Sequence, residues 1–301
     1  PQGEREIFRV TFTDRTAVEC DAEHLWMVRT KNVRQGPCWR VKSLDRLMME
    51  HPRQRYLPLL DAVEFTAAYQ ALPLDPYLLG VLLGDGSLGR TRVEVSSHAN
   101  DAEEMQRRLQ RLLPVGMFIR WKRDPRSRAV KLIPTQGLCG NRPNPIAAIL
   151  RQLSLFGCRA HEKFIPTIYK LATVGDRAAL LQGLMDTDGT IQYGRGRNSV
   201  VISFATVSPQ LAEDVQELVQ LLGGIAKLSC YYQWSANWRP VWKIQLRLPD
   251  WLEPFRLERK AYRYEGCRPS GRLSPVRALK SFQSIGVKLA QCIQVDAPDG
   301  L

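Results

Sequence analysis

The sequence lacks any run approaching the roughly 18 uncharged apolar residues that a membrane-spanning helix needs. Its first residues, Pro1-Gln2-Gly3-Glu4-Arg5-Glu6, lack the apolar stretch of a signal peptide. No two of its seven cysteines form a C-x-x-C pair, and the count is odd. That excludes a disulfide framework and points to free thiols in a reducing, cytoplasmic compartment. Cys20 and His24 make one candidate metal pair, but no second pair follows, so a structural zinc is not expected.

Acidic residues are also scarce. There are 30 Asp+Glu against 43 Lys+Arg, a net charge of +13. Such an excess suggests a polyanionic partner. Most of the cations are Arg, which favours phosphate and base contacts over a merely solvated surface. What the chain does have is apolar content: 44% of 301 residues, enough for two or three folded domains and against wholesale disorder.

The first 50 residues alternate like strands: Ile7–Phe12, Val18–Cys20, Leu25–Val28 and Trp39–Val41, then a helix over Ser43–Glu50 with Ser43 as N-cap. Arg55–Leu72 is irregular. A new pattern starts at Asp75. An apolar helix, Pro76–Gly84, ends in Asp85-Gly86. Alternating residues Arg90–His98 follow, then a helix capped by Asn100, strands at Met117–Lys122 and Ala129–Pro134, and a helix at Pro145–Leu155. The same order returns. Asp176 caps an apolar helix ending in Asp188-Gly189. Strands follow at Thr190–Tyr193 and Ser199–Thr206. Ser208-Pro209 opens a helix to Leu222, with Pro at the first helical position. Ile225–Trp234 and Val241–Leu248 are strands, and Leu252–Tyr264 is helical in part. The tail Val276–Leu301 is again strand-like, most clearly at Cys292–Val295.

Residues 75–264 therefore hold two α-β-β-α-β-β units with lead helices about 100 residues apart. They align on Leu78-Leu79-Gly80-Val81-Leu82-Leu83-Gly84-Asp85-Gly86 and Leu181-Gln182-Gly183-Leu184-Met185-Asp186-Thr187-Asp188-Gly189. Gly80 and Gly84 share one helix face, and Gly183 and Thr187 occupy the same places. Small residues there let two helices approach closely, so these four are expected at a helix–helix interface. A carboxylate at a helix C-terminus is electrostatically unfavourable, and two brought together repel. That cost suggests a cation, and carboxylate and carbonyl oxygens suit Mg²⁺. Paired acids, a divalent metal and a basic protein point to phosphodiester hydrolysis.

The duplicated motif and element order resemble the LAGLIDADG homing endonucleases, in the two-motif single-chain form, over roughly residues 74–264. The resemblance implies an α+β fold: two pseudo-symmetric half-domains with saddle-shaped antiparallel sheets, packed through the motif helices. It implies that Asp85 and Asp188 bind Mg²⁺ (Mn²⁺ substituting) and cut the two strands of a DNA duplex. The carbonyls of Gly84 and Thr187 are expected to face the metal too. Asp186 is not at the matching position and is given no role. Glu162-Lys163-Phe164-Ile165-Pro166 resembles the family's K-x-I-P block, making Lys163 a candidate near a scissile phosphate. Lys260, in Leu257-Glu258-Arg259-Lys260, is its counterpart. Each lysine would stabilise developing charge or orient water.

The strands argue for DNA independently. Arg90, Arg92, Glu94, Ser96 and His98 alternate with Thr91, Val93, Val95 and Ser97. Arg120 and Lys122 alternate with Ile119 and Trp121. Lys227, Ser229, Tyr231 and Gln233 show the same period, as do Lys243, Gln245 and Arg247 against Trp242, Ile244 and Leu246. These polar sets carry the donors and acceptors that read base edges. Residues 73–262 hold 26 Lys+Arg and 17 Asp+Glu, so +9 of the +13 lies there.

The flanks resemble inteins. Arg9–Arg15 followed by Cys20–Trp26 is similar to an intein block ending in a histidine that assists the first acyl shift, here His24, although Asp21 stands where most inteins have Thr or Ser. Gln291–Leu301 resembles a C-terminal block. The resemblance implies one mostly-β Hint domain, residues 1–72 and 265–301, interrupted by half-domains 73–170 and 171–264. The sequence begins without the Cys or Ser nucleophile and stops before the usual His-Asn ending, so the expectation is a trimmed intein that does not splice. The expected function is a monomeric homing endonuclease acting on intracellular double-stranded DNA. The alternatives are an inactive LAGLIDADG nucleic-acid-binding protein, as in maturases, and a splicing element.

Overall fold

The computed structural model describes residues 3–30, 39–50, 55–66, 71–89, 93–123, 129–136, 144–193, 200–232, 239–266 and 277–291. The chain divides into two compact units, Pro1–Leu60 with Leu273–Leu301, and Asp61–Arg272.

The first unit begins with β1 (Gly3–Phe12), β2 (Ala17–Asp21), β3 (Leu25–Thr30), β4 (Trp39–Ser43), the short helix α1 (Leu44–Met49) and β5 (Arg55–Leu57). Ser43 stands at the N-cap position, but its hydroxyl bonds the Asp45 carboxylate rather than a main-chain N–H. Strand β5 lies inside the segment expected to be irregular; at three residues it is too short to show alternation.

The second unit runs through α2 (Pro76–Leu83), β6 (Gly86–Leu88), β7 (Val93–His98), α3 (Ala99–Gln110), β8 (Met117–Arg123), β9 (Ala129–Gln136), α4 (Pro145–Gln152), a 3-10 turn (Ala160–Glu162) and α5 (Thr167–Lys170). It then repeats as α6 (Val174–Asp188), β10 (Gly189–Tyr193), β11 (Val200–Thr206), α7 (Pro209–Leu221), β12 (Ile225–Tyr231), β13 (Val241–Arg247) and α8 (Glu258–Glu265). Both halves build a four-stranded antiparallel sheet with the same permuted order: β6-β7-β9-β8 and β10-β11-β13-β12. One apolar core joins them, formed by α2 and α6 with residues such as Met105, Leu132, Leu218 and Ile244 from the surrounding helices and sheets.

Helix starts follow local chemistry. Asp75 accepts from Leu78 N, and Ser208 from Leu211 N, each followed by Pro at N1. Two starts differ from expectation. Helix α6 is capped by Thr173, whose hydroxyl accepts from Asp176 N at 3.1 Å and donates to the Asp176 carboxylate at 2.7 Å. Asp176 is thus the third helical residue, bonded to the cap through both its N–H and its carboxylate, and not the cap itself. Helix α3 is capped by His98 Nδ1, which accepts from Asn100 N at 3.3 Å.

The last strand, β14 (Arg277–Ala290), returns to the first unit. It pairs with β1 over most of its length and with β5 at its start, completing a six-stranded sheet, β2-β1-β14-β5-β3-β4. Val10, Phe12, Val28, Leu44, Leu47, Leu57 and Leu279 form its core. Cys292–Val295 lie outside the described residues.

The junctions at 60/61 and 272/273 differ from the expected 72/73 and 264/265. The physical reason for the first is Arg177. Its fully buried guanidinium donates to Ala172 O and Leu221 O at 3.0 and 2.9 Å, and also to Val63 O. It lies against the Phe65 ring as well, so residues 61–65 belong to the second unit.

Candidate active site and nucleic-acid face

All eight residues of α2 are buried, so that helix shows no amphipathic face to read. Its partner is α6, and the glycines set their separation. A Cβ on Gly80 would lie 2.3 Å from Leu180 O; one on Gly183 would lie 2.3 Å from Tyr77 O. A Cβ on Gly84 would lie 1.9 Å from Thr187 Oγ1. The four residues expected at the interface are all there. Gly86 and Gly189 also correspond, since a Cβ on either would lie 2.2 Å from a carbonyl of its own helix, Leu82 or Met185.

This contact brings the two helix ends together. Asp85 stands just past α2 and is exposed, whereas Asp188 is the last residue of α6 and half-buried. Burial pushes the Asp188 carboxyl up to about 6, and the nearby charge of Asp85 adds to it. Asp85 is shifted the same way by desolvation, opposed by the charges of Lys260 and Lys163.

The two lysines occupy matching places. Lys163 Nζ donates to the carbonyls of Leu82, Gly84 and Gly86 at 3.2, 2.7 and 2.7 Å. Lys260 Nζ donates to Met185, Thr187 and Gly189 at 2.9, 3.0 and 2.9 Å, and to Asp186 O at 2.7 Å. Met185, Thr187 and Gly189 are the repeat equivalents of Leu82, Gly84 and Gly86. Each ammonium thus satisfies the orphan carbonyls of one motif helix and its C-terminal partial charge. Burial pulls Lys163 down to about 8, against the charges of Asp188 and Asp85. Lys260 is also lowered by burial. The Gly84 and Thr187 carbonyls, expected to face a metal, accept from these lysines.

Among the described residues no group of three or more His, Cys, Asp and Glu side chains is placed to hold a metal. The donors that are present are the two carboxylates, since the Gly84 and Thr187 carbonyls are taken by the lysines. Such an all-oxygen set fits a hard divalent cation that keeps water or takes phosphate oxygens as further ligands.

Asp186 is a brace. It is 3% exposed and accepts from Tyr77 Oη at 2.7 Å, across the α2–α6 contact. It also accepts from Arg256 N and Leu257 N at 3.1 Å, fixing the chain that leads to Lys260.

The sheets separate apolar from polar faces as the alternation implies. Val93, Val95 and Ser97 are buried, while Glu94 and Ser96 are half-buried and His98 is exposed. Register places Ser96 opposite Lys131 and Lys131 opposite Lys122, so these share one face, with Arg120 farther along β8. In the other sheet Lys227 faces Gln245, and Ser229 faces Lys243. Tyr231 and Arg247 are exposed. Trp121 departs from expectation: it is 46% exposed at the end of β8, where its indole donates to Gln106 of α3. Arg90, Arg92 and Gln233 lie outside the described residues. Two further residues stand on the polar faces: Lys131, which pairs with Glu94, and Gln192, which accepts from Lys243 at 3.4 Å; neither belongs to a long polar alternation in the sequence.

In the first unit, His24 is exposed on the turn between β2 and β3, edge-on to Trp26 at 5.2 Å.

The chain is 15% identical to mesophilic variants of the homing endonuclease I-DmoI, with a TM-score of 0.44 over 64% of this chain and 97% of that one. Against I-DmoI in complex with DNA and Mn, identity is 14% and the TM-score 0.39, over 67% and 98% of the two chains. It is 33% identical to the replicative DNA helicase DnaB of Rhodothermus marinus over 77% of this chain, and 25% identical to that of Mycobacterium intracellulare over 97%. The chain spans only 24% and 47% of the length of those helicases. Residues 176–249, from the first turn of α6 to just beyond β13, match the model of the LAGLIDADG-like domain.

Proposed function

We propose that the chain is a homing endonuclease that makes a double-strand break in a long DNA site by metal-dependent phosphodiester hydrolysis. The observation that carries this reading is the four-residue cluster at the paired helix ends, Asp85 with Asp188 and Lys163 with Lys260. Asp85 and Asp188 would hold Mg²⁺, or Mn²⁺ in its place. Such an ion, when bound, supplies an activated water and a Lewis acid for a phosphate oxygen. The lysines hold the motif-helix ends rigid and place two positive charges beside the acids, where phosphate charge develops.

The polar sheet faces supply the DNA contact. Lys122, Lys131, Lys227, Lys243, Arg120 and Arg247 are placed for phosphates and Ser96, Ser229 and Gln245 for base edges. The halves differ in sequence at these positions, so a single chain would read an asymmetric site as a monomer. The setting is intracellular DNA.

An intein origin is part of the same reading. The first unit draws both ends of the chain into one sheet through β1 and β14, as a Hint domain interrupted by an insertion would. The helicase matches, which cover a fraction of those longer proteins, support an element carried within a host protein. His24 is then a remnant of the splicing site.

The test begins with selection of a bound site from a randomised duplex library. Wild-type protein is expected to cut that site with Mg²⁺ or Mn²⁺. Sequence-specific binding without cleavage in either metal would support the binding-protein reading instead.

A further inference from the structure

We propose that the two lysines are held in trans: a carboxylate on the second helix of each half positions the lysine of the opposite half. The inference rests on the endonuclease reading, because it assigns positioning residues to that site.

Lys163 lies beyond the last strand of the first half and caps α2, its own motif helix. The chain around it is bonded from α7, in the second half. Asp214 Oδ2 accepts from Ile165 N at 2.8 Å, and Ser208 Oγ donates to Lys163 O at 2.6 Å. Lys260 lies on α8, beyond the last strand of the second half, and caps α6. The first turn of α8 is bonded from α3, in the first half. Glu104 accepts from Glu258 N at 3.1 Å, and Asp101 takes Arg259 in a bidentate pair at 2.8 and 2.7 Å.

The two carboxylates hold corresponding helix positions. Glu104 and Asp214 each stand six residues after the N-cap of their helix, His98 and Ser208. Each accepts a main-chain N–H two residues from a site lysine, Ile165 after Lys163 and Glu258 before Lys260. Asp214 is 2% exposed, and its other oxygen is taken by Lys170 and Gln210, both at 3.1 Å. A buried carboxylate satisfied on every side has one geometry, which it passes to the chain it holds. The chain around Lys163 is therefore set by the folded, docked opposite half, whereas Lys260 is held from both sides, by Glu104 and Asp101 in trans and by Asp186 of its own half. That makes strand cutting conditional on assembly of both halves.

The test uses the full chain and the selected DNA site, labelled separately on each strand. Lys163→Met and Lys260→Met first identify the strand that depends on each lysine. Asp214→Ala should slow the Lys163-dependent strand about tenfold and leave the other within about twofold, the scale of a lost supporting contact. Asp214→Asn, which keeps an acceptor for Ile165 N, should recover part of the rate. Glu104→Ala and Arg259→Ala should slow the other strand. Equal loss on both strands, or a loss confined to the carboxylate's own half, overturns the proposal.

A second readout is independent of cleavage. Reductive methylation with formaldehyde and borohydride, read by mass spectrometry, should rise at Lys163 and not Lys260 in Asp214→Ala. The reverse is expected in Glu104→Ala. If no protein cuts, the endonuclease reading fails, and this pattern still decides the positioning. A uniform rise at both lysines overturns it.

Discussion

The Lys163 ammonium sits 2.7 Å from the carbonyl oxygen of Gly84, the residue immediately before Asp85. One side chain thus closes the end of a motif helix and sets a positive charge beside a candidate metal-binding acid. Lys163 is 5% exposed, and burial opposes its charge. In Lys163→Met the lost carbonyl bonds are offset by relief of that buried charge. Stability should stay within about 1 kcal/mol of wild type, while DNA cleavage is lost. Urea unfolding and a nicking assay on the same preparation check this. A stability loss of about 3 kcal/mol or more would mark Lys163 as a structural cap first.

The paired acids make a pH prediction for metal-free protein. The folded Asp188 carboxyl titrates at about 6, above its ordinary value of 3.8. Between those values the folded state binds more protons than the unfolded state, so stability falls as pH rises through the window. The melting temperature of wild type should therefore drop, relative to Asp188→Asn, between pH of about 4 and about 6. Mg²⁺ at neutral pH should recover the difference in wild type alone, because it binds the folded form. Identical pH profiles for the two proteins would contradict the account.

The helix contact leaves no room for a side chain. Gly80→Ala places a methyl 2.3 Å from Leu180 O, a main-chain atom that cannot swing away. The expected cost is on the order of 3 kcal/mol, from forced separation of α2 and α6. Gly175→Ala is the control, since its Cβ would meet nothing closer than 3.8 Å. Denaturation midpoints of the two variants should differ clearly.

The polar sheet faces give a salt prediction. Lys122→Ala should weaken binding to the selected site and reduce the slope of log affinity against log salt by about 0.9, the effect of one lost phosphate contact. Ser229→Ala should leave the slope unchanged and alter discrimination among bases. Binding measured at several salt concentrations separates the two.

Much of this arrangement was legible in the sequence, and the limits have physical causes. The repeat shows because both motif helices end in Asp-Gly and because β7, β12 and β13 have one wet face. Caps followed by proline, at Asp75 and Ser208, are unambiguous. The sequence points to Asp176 as the cap of α6, three residues late, because an acidic residue in the first helical turn resembles a cap. Strands β5 and β6, three residues each, are too short for periodicity. Lys163 and Lys260 stand out in the sequence only by resemblance, and their hold on the helix ends emerges only when the chain brings residues 81 and 75 positions apart into contact. The bracing role of Asp186 depends on Tyr77 and Leu257, 109 and 71 residues away, which no local pattern links to it.

The central claim is that Asp85 and Asp188 together make the hydrolytic site. The most direct measurement is cleavage of the selected duplex by wild type, Asp85→Asn and Asp188→Asn in Mg²⁺, with binding measured in parallel. Loss of even a supporting residue around a metal commonly costs about ten- to a hundredfold. Loss of either acid is therefore expected to slow double-strand cleavage by more than about a hundredfold, with DNA binding kept. Variants that bind and cut as well as wild type would contradict the account.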